Sequence, residues 1–226
     1  MTAAAPKEKW LTGIDDEIAF WQHWADTRGG QWPQDYANRI DPGFPLQPQI
    51  ARWLDPAAAR VRILDVGAGP ATYVGRRWDG HEVELVAVDA LAERYDAALR
   101  FRDALPVRTL QCETERLTER FAEGSFDFVN ARNTLDHSYD PLECIRQMLR
   151  VARPGGHVGL WHFADEAERE AYAGLHQWNF SVQGGDMAIW NRAERHSLRE
   201  LARGLGTIVD IPADGAWEVN VVLRRD

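Results

Sequence analysis

Between Val61 and Tyr73 the chain reads V-R-I-L-D-V-G-A-G-P-A-T-Y. An apolar run carries an acid, Asp65, and breaks at once into a turn with glycines at 67 and 69. No other stretch restricts the fold as much. A near-continuous apolar strand is covered on both faces, and such strands belong to parallel sheets. A glycine turn directly after it is how the strand hands over to the next element with a ligand in the gap. Gly67 permits the tight turn, and Gly69 removes the side chain that would hold a ligand off the backbone.

The remaining elements fit that beginning. Apolar runs at 83–88, 107–112, 126–131, 157–163, 207–211 and 217–223 read as further strands. Helical patterns are expected at 72–78, 91–105, 141–152, 165–175 and 197–205, with a turn or short helix at 117–122. Pro141 sits at a first helical turn, and R-P-G-G at 153–156 ends that helix. Strands alternating with helices predict an α/β fold with a doubly wound, mostly parallel seven-stranded sheet and helices on both faces. The last two strands are too close for a helical crossover, so the last is expected to be antiparallel.

The first 58 residues read differently. Residues 1–12 are expected to be loose, and 14–28 helical, with Asp15, Asp16 and Glu17 near the helix start. Gly29-Gly30 ends that helix. Residues 31–49 hold four prolines and are expected to be irregular, followed by a short helix at 48–54. Five of the ten tryptophans lie in this part, at 10, 21, 24, 32 and 53. We therefore divide the chain into a Trp-rich arm or lid, 1–58, and a sheet domain, 59–226, with an insertion at 164–196.

The chain has 226 residues and is 45% hydrophobic, enough for a core. A net charge of −9 argues against a nucleic-acid or anionic-membrane surface. No secretory signal or membrane-spanning stretch is read, and the expected setting is cytoplasmic. Cys112 and Cys144 form no disulfide framework and lack metal-ligand spacing, so no metal is expected.

In such a sheet ligands meet the carboxyl ends of the strands, where strand order switches. The strand ends carry Asp65 to Gly69, Asp89, Cys112-Glu113-Thr114, Asn130-Ala131-Arg132 and Trp161-His162-Phe163. A dinucleotide turn needs a third glycine to hold a pyrophosphate, and Thr72 stands there. An acid before the turn suits a ligand with a cationic tail instead. The absence of an S…Y-x-x-x-K pattern further disfavours an NAD-dependent oxidoreductase.

I-L-D-V-G-A-G-P-A resembles the first motif of class I S-adenosylmethionine-dependent methyltransferases, with Ala71 where many members have glycine. Q-C-E-T-E-R-L at 111–117 resembles their acidic adenine-binding segment, with Glu in place of Asp. G-S-F-D-F-V and the later R-P-G-G turn are similar to theirs as well. The resemblance covers roughly residues 60 to 163. It implies a Rossmann-like domain, with S-adenosylmethionine as cofactor and S-adenosylhomocysteine as product. The implied cofactor residues are Asp65, Gly67, Ala68, Gly69, Asp89, Ala90, Cys112, Glu113, Thr114, Asn130, Ala131 and Arg132. Asp89 would accept the ribose hydroxyls.

Methyl transfer is an in-line displacement and needs a base only when the acceptor is protonated, as a hydroxyl is. His137 beside Asp136 is the candidate base, and His162 its rival. Tyr36, Arg39, Trp161, Tyr172, His176 and Trp190 are the candidates for holding a small-molecule acceptor, with Trp178 and Gln183 nearby in sequence. An oxygen acceptor is preferred because these histidines are available. A nitrogen acceptor, or a non-catalytic cofactor-binding protein, are the alternatives.

Overall fold

The computed structural model describes residues 4–99 and 105–226. Among the described residues, seven strands form one sheet: β1 (Arg60–Val66), β2 (Glu82–Asp89), β3 (Thr109–Gln111), β4 (Phe126–Arg132), β5 (Ala152–Phe163), β9 (Gly206–Asp210) and β10 (Glu218–Arg225). Their order is β3-β2-β1-β4-β5-β10-β9. The first five are parallel, while β10 runs antiparallel to both β5 and β9. The expected doubly wound sheet with an antiparallel last strand is therefore present.

β1 lies at the centre because its apolar run suits burial on both faces: Val61, Ile63, Leu64 and Val66 are all buried. The chain leaves β1 for β2 on one side and later returns to β4 on the other. The crevice at this switch opens beyond Val66 and Ala131, which are paired in register. One row back, Asp65 pairs with Asn130, so their side chains share a face.

Helix α5 (Pro141–Val151) packs one face of the sheet through Cys144, Ile145, Met148 and Leu149. Asp140 caps it by accepting a bond from the Glu143 backbone N–H at 2.9 Å. Leu46, Ile50 and Leu54 cover the opposite face near Ile63 and Phe128. No described helix is long and apolar enough to cross a membrane.

The N-terminal part corrects two expectations. Helix α1 runs from Ala4 to Asp26, so residues 4–12 are helical rather than loose. Tertiary packing extends it: Trp10 and Ile14 bury against Leu91, Tyr95 and Leu175. The proline-rich stretch contains helix α2 (Pro33–Ile40), because Pro33 falls in its first turn, where no backbone donor is lost. Helix α3 (Pro48–Ala51) follows, shorter than the expected 48–54.

The segment 72–78 is not a helix. Residues 44–47 lie alongside it and take its backbone bonds. Leu46 N–H donates to Arg77 O at 2.8 Å, and Arg76 N–H to Phe44 O at 2.9 Å. The Gln47 amide donates to Tyr73 O and accepts from Gly75 N–H. A Cβ at Gly75 would lie 2.0 Å from Pro45 O, so only glycine allows this approach. The arm thus replaces the helix that normally follows the first strand.

Helix α4 (Ala92–Ala98) occupies part of the expected 91–105 helix, and residues 100–104 of that expectation lie outside the described residues. After β5, only one helical turn forms, α6 (Glu166–Arg169), where 165–175 was expected. Ala171 and Tyr172 take φ of 52° and 58°, which ends it. The chain then makes a separate three-stranded sheet: β6 (Asn179–Gln183), β7 (Asp186–Trp190) and β8 (Arg195–Ser197). Helix α7 (Leu198–Leu201) follows, shorter than the expected 197–205 and capped by Ser197.

Candidate active site

The glycine turn leaves β1 with Gly67 at φ 62° and Gly69 at φ 64°, a region that only glycine enters without strain. Asp89, at the end of β2, accepts from Gly69 N–H at 2.9 Å and from Leu91 N–H at 2.8 Å. Burial pushes its carboxyl up to about 6; the two backbone donors work against this, Glu17 adds to it and His137 opposes it. Asp65 accepts from Thr72 Oγ1 and Asn130 Nδ2, each at 2.6 Å, and burial raises its pKa too. Ala68 and Ala131 are buried within the turn and the end of β4, and Ala90 sits half-buried after Asp89. The expected residues of β1, β2 and β4 therefore meet at one point.

The arm lies over this point. A Cβ on Gly69 would come within 2.6 Å of the Trp21 ring, and one on Gly67 within 1.8 Å of Thr134 Oγ1. Trp21 Nε1–H donates to Glu17 Oε1 one helical turn earlier, at 2.8 Å. Arg39 of α2 donates to the carbonyls of Ala68 and Ala71 and faces the rings of Trp21, Trp24 and Tyr73. Tyr36 packs on Trp24, with ring centres 4.9 Å apart. Arg132 lies over the Tyr73 ring at 4.2 Å and 3.8 Å from Asp35.

Beyond β3, Glu113 is engaged as well. Tyr139 Oη–H donates to Glu113 at 2.6 Å and Lys7 Nζ at 3.1 Å. Burial pushes this carboxyl up, but the two donors outweigh it and hold it below the usual range. Thr114 is buried at the start of a 3-10 turn. Cys112 is a free thiol whose pKa burial raises.

The second concentration of polar groups lies just past β4. A 3-10 turn at Leu135–His137 carries Asp136, fully buried, and His137. Asp136 Oδ2 lies 2.7 Å from His176 Nδ1 and 3.3 Å from His137 Nε2, and these two nitrogens are 3.2 Å apart. The backbone fixes this meeting: Gln177 N–H and Trp178 N–H donate to Asp136 O at 2.9 and 3.2 Å. Lys9 Nζ donates to His176 O at 3.0 Å. Burial pushes the Asp136 carboxyl up, yet the two imidazoles outweigh it and hold it low. Burial pushes His176 down, and the bond to Asp136 reverses that. His137 Nδ1 lies 3.8 Å from Glu17 Oε2, so the cluster adjoins the glycine turn through one residue of α1.

Other expectations are corrected. Asp136 does reach its neighbour His137, but its shorter contact is with His176, which the sequence reading placed only against an acceptor. His162 faces away from Trp161 and Phe163 and is buried, its ring stacked on Phe180 with centres 4.4 Å apart. Burial pushes its pKa down to about 4. That ring belongs to the core and is not presented as a base. Trp161 donates to Asn130 Oδ1 at 2.6 Å and packs against the face covered by Leu46 and Ile50. Tyr172 receives a bond from Asn179, and Trp190 donates to Ser181. Trp190 belongs to the small sheet and Tyr172, in the turn after α6, is tied to its first strand, and neither meets Tyr36 or Arg39 in the described contacts. Trp178 is buried in the core, and Gln183 ends β6, accepting from Arg195. Sequence reasoning missed Lys7, Glu17, Trp21, Thr134 and Tyr139. Only Glu17 and Trp21 left a signal, their i, i+4 spacing on one helix face.

With this geometry in hand, comparison with known proteins is informative. Residues 64–160 match the family described as "Methyltransferase domain". An uncharacterised methyltransferase of Mycobacterium bovis is 36% identical over 126 residues, 55% of this chain and 48% of that protein. The chain thus spans about half the length of the first curated relatives it matches. A ubiquinone biosynthesis O-methyltransferase of Xanthomonas campestris pv. campestris is 25% identical over 211 residues, 84% of this chain and 82% of that protein. Among solved structures, a chain of the complex between the Haloferax volcanii Trm112 methyltransferase activator and a methyltransferase has a TM-score of 0.55 at 17% identity. It covers 90% of this chain and 96% of that one, and it speaks to the fold alone.

Proposed function

We propose, for a chain that belongs to the class I S-adenosylmethionine-dependent methyltransferases, the transfer of a methyl group to a small-molecule acceptor, at oxygen. One observation carries the reading. A carboxylate–imidazole cluster, Asp136-His137-His176, stands beside the glycine turn and Asp89, with Glu17 between them.

The residues present fit the family's cofactor in kind. Positive-φ glycines, a buried strand-end acid and an asparagine on the neighbouring strand gather at the switch of strand order. Asp89 would hold the ribose, Gly67 to Gly69 the backbone side, and Glu113 with Thr114 the adenine. S-adenosylmethionine, when bound, supplies a methyl group on a sulfonium. Trp21 and Glu17 lie over these residues, and Lys7 engages Glu113. The arm, 1–58, is therefore a lid that opens to admit the cofactor and closes to exclude water.

The chain's own part in the reaction is alignment and one proton. The acceptor hydroxyl would lose its proton to the imidazole pair His137–His176, with Asp136 balancing the resulting positive charge, while the S–CH3 bond of the sulfonium breaks and the thioether product leaves. Tyr36, Arg39 and Arg132 border the same opening and contribute to acceptor binding. The O-methyltransferase relative favours an oxygen acceptor over nitrogen, which would need no base.

Calorimetric titration with S-adenosylmethionine, S-adenosylhomocysteine and NADH, repeated on Asp89→Ala, tests the cofactor. Binding of the first two, lost in the variant, is expected; binding of NADH alone would sink the reading. An acceptor screen with labelled methyl groups then separates turnover from mere cofactor binding.

A further inference from the structure

We propose that Asp136, His137 and His176 form a binding site for a divalent first-row transition-metal ion. This goes beyond the proposed function and is an alternative use of the same imidazoles, since an ion on His137 Nε2 and His176 Nδ1 occupies the lone pairs that proton uptake needs. Asp136 Oδ2, His137 Nε2 and His176 Nδ1 make a triangle with sides of 2.7, 3.2 and 3.3 Å. Ligands about 2.1 Å from a common ion stand about 3.0 to 3.4 Å apart in octahedral or tetrahedral geometry, so two sides fit as they stand and the hydrogen-bonded Asp136–His176 side opens by a few tenths of an ångström when an ion binds. An ion equidistant from all three stands off their plane, with its remaining positions open.

A second observation points to a ligand. Asp136 is fully buried, yet its Oδ1 has no hydrogen-bond partner. Buried polar atoms are nearly always paired, and the bonds within the protein leave this carboxylate oxygen without a donor.

The surroundings suit a cation. Asp136, Glu166 and Glu17 bring three carboxyl groups around two imidazoles. His137 turns Nε2 to the centre and Nδ1 towards Glu17 Oε2, 3.8 Å away and beyond direct hydrogen-bond distance. The two segments are held together by backbone bonds to Asp136 O and by Lys9, so the site does not need the ion to assemble. Two nitrogens and one oxygen favour zinc, iron, nickel or copper over magnesium and calcium, which take oxygen donors. Ion and proton compete for the same lone pairs, so binding releases protons. Among the described residues this is the group of three ligands that converges in this way.

The test is calorimetry on the full chain, freed of metal by dialysis against a chelator and titrated with zinc chloride and, separately, magnesium chloride. One zinc per chain is expected, with no comparable magnesium binding. His176→Gln and Asp136→Asn should each weaken zinc by more than about 100-fold. His196→Ala, at a histidine paired with Glu194 on β8, should leave it unchanged. Circular dichroism shows whether each variant is folded, and His137→Gln stands in for any that is not. No zinc binding by the parent, or equal binding by the parent and His176→Gln, would overturn the proposal. So would equal loss in His196→Ala. Titration of the metal-free protein with S-adenosylhomocysteine reads the methyltransferase assignment separately: cofactor binding without zinc binding sinks the ion site alone.

Discussion

The two ends of the crevice solve the same problem in opposite ways. At the glycine turn, both oxygens of Asp65 and both of Asp89 have donors, supplied by the next few residues or by the neighbouring strand. Strand register and one turn are enough to place those donors. Beyond β4, Asp136 Oδ2 meets two imidazoles while Oδ1 has none, and Glu166 and His162 keep unpaired atoms. Each such atom costs about 1–3 kcal/mol if nothing ever pairs it. The first end is complete as folded, and the second is complete only with something added. A fold can therefore be read from the first end, and chemistry from the second.

The sharpest way to break the comparison is to exchange their phenotypes. Asp136→Asn, His137→Gln and His176→Gln should each lower kcat by about 10² to 10⁴, while the dissociation constant of S-adenosylhomocysteine stays within about threefold. If Asp89 holds the ribose as proposed, Asp89→Ala should do the reverse and weaken the cofactor by about 10² to 10⁴, since two hydrogen bonds to a charged group are lost, each about 1.5–3 kcal/mol. Steady-state rates with the acceptor found by screening, and calorimetry for the cofactor, check both. If Asp136→Asn instead abolished cofactor binding, the two ends would be one site and the distinction would fail.

Sequence and structure parted along the same line. β1, β2 and β4 were legible because a buried parallel strand must be apolar throughout, and the acids and glycines at their ends stand out against that background. Helix α5 was legible from Pro141 and its apolar face. The helix expected at 72–78 failed because residues 44–47 compete for its backbone bonds, and no local pattern reports a competitor thirty residues away. The 164–196 stretch holds a hairpin whose signal was present: Phe180-x-Val182 and Met187-x-Ile189 flank Gly184-Gly185, a two-residue turn pattern. The expectation there is an insertion with a helix at 165–175 and no strands. In the candidate site, Asp136 and His137 were legible as neighbours. The partnership of Asp136 with His176 was not, because it depends on how the chain after α6 folds back.

The arm offers a smaller effect. Trp21 covers Gly69 and is itself held by Glu17 and packed on Trp24 and Tyr95. Trp21→Ala should raise the association rate of the cofactor about tenfold, because opening then gives up less packing, and should lower stability by about 1–3 kcal/mol. Stopped-flow tryptophan fluorescence and thermal melts measure the two. An unchanged association rate would mean that the arm is a fixed strap over the sheet.

Asp89 gives the first end a pH dependence. Its folded-state pKa is raised by burial to about 6, facing Glu17 from α1, Tyr95 from α4 and His137 from the turn after β4. A raised acid adds stability below its unfolded pKa, near 4, and that contribution is lost as pH rises through 6. If Asp89 holds the ribose as proposed, cofactor binding runs the other way, since only the ionised form accepts both ribose hydroxyls. The dissociation constant should be flat above pH 6 and rise about tenfold per unit below it. Asp89→Asn should bind weakly at every pH, with no such slope.

His162 gives the smallest effect and the closest check on the second end. Its imidazole is neutral at pH 7, with a pKa near 4, and it stacks on Phe180 without a partner for either nitrogen. If it is a core residue, His162→Leu removes two unsatisfied polar atoms at similar volume. Turnover should then stay within about twofold, and stability should rise by about 1 kcal/mol. Denaturant melts and the same kinetic assay decide it. If turnover collapses while the melt is unchanged, His162 is presented to the reaction after all, and the base must be sought there. If stability falls instead, its nitrogens are paired in solution, and the unsatisfied end of the crevice is narrower than the three residues Asp136, His137 and His176 with His162 beside them.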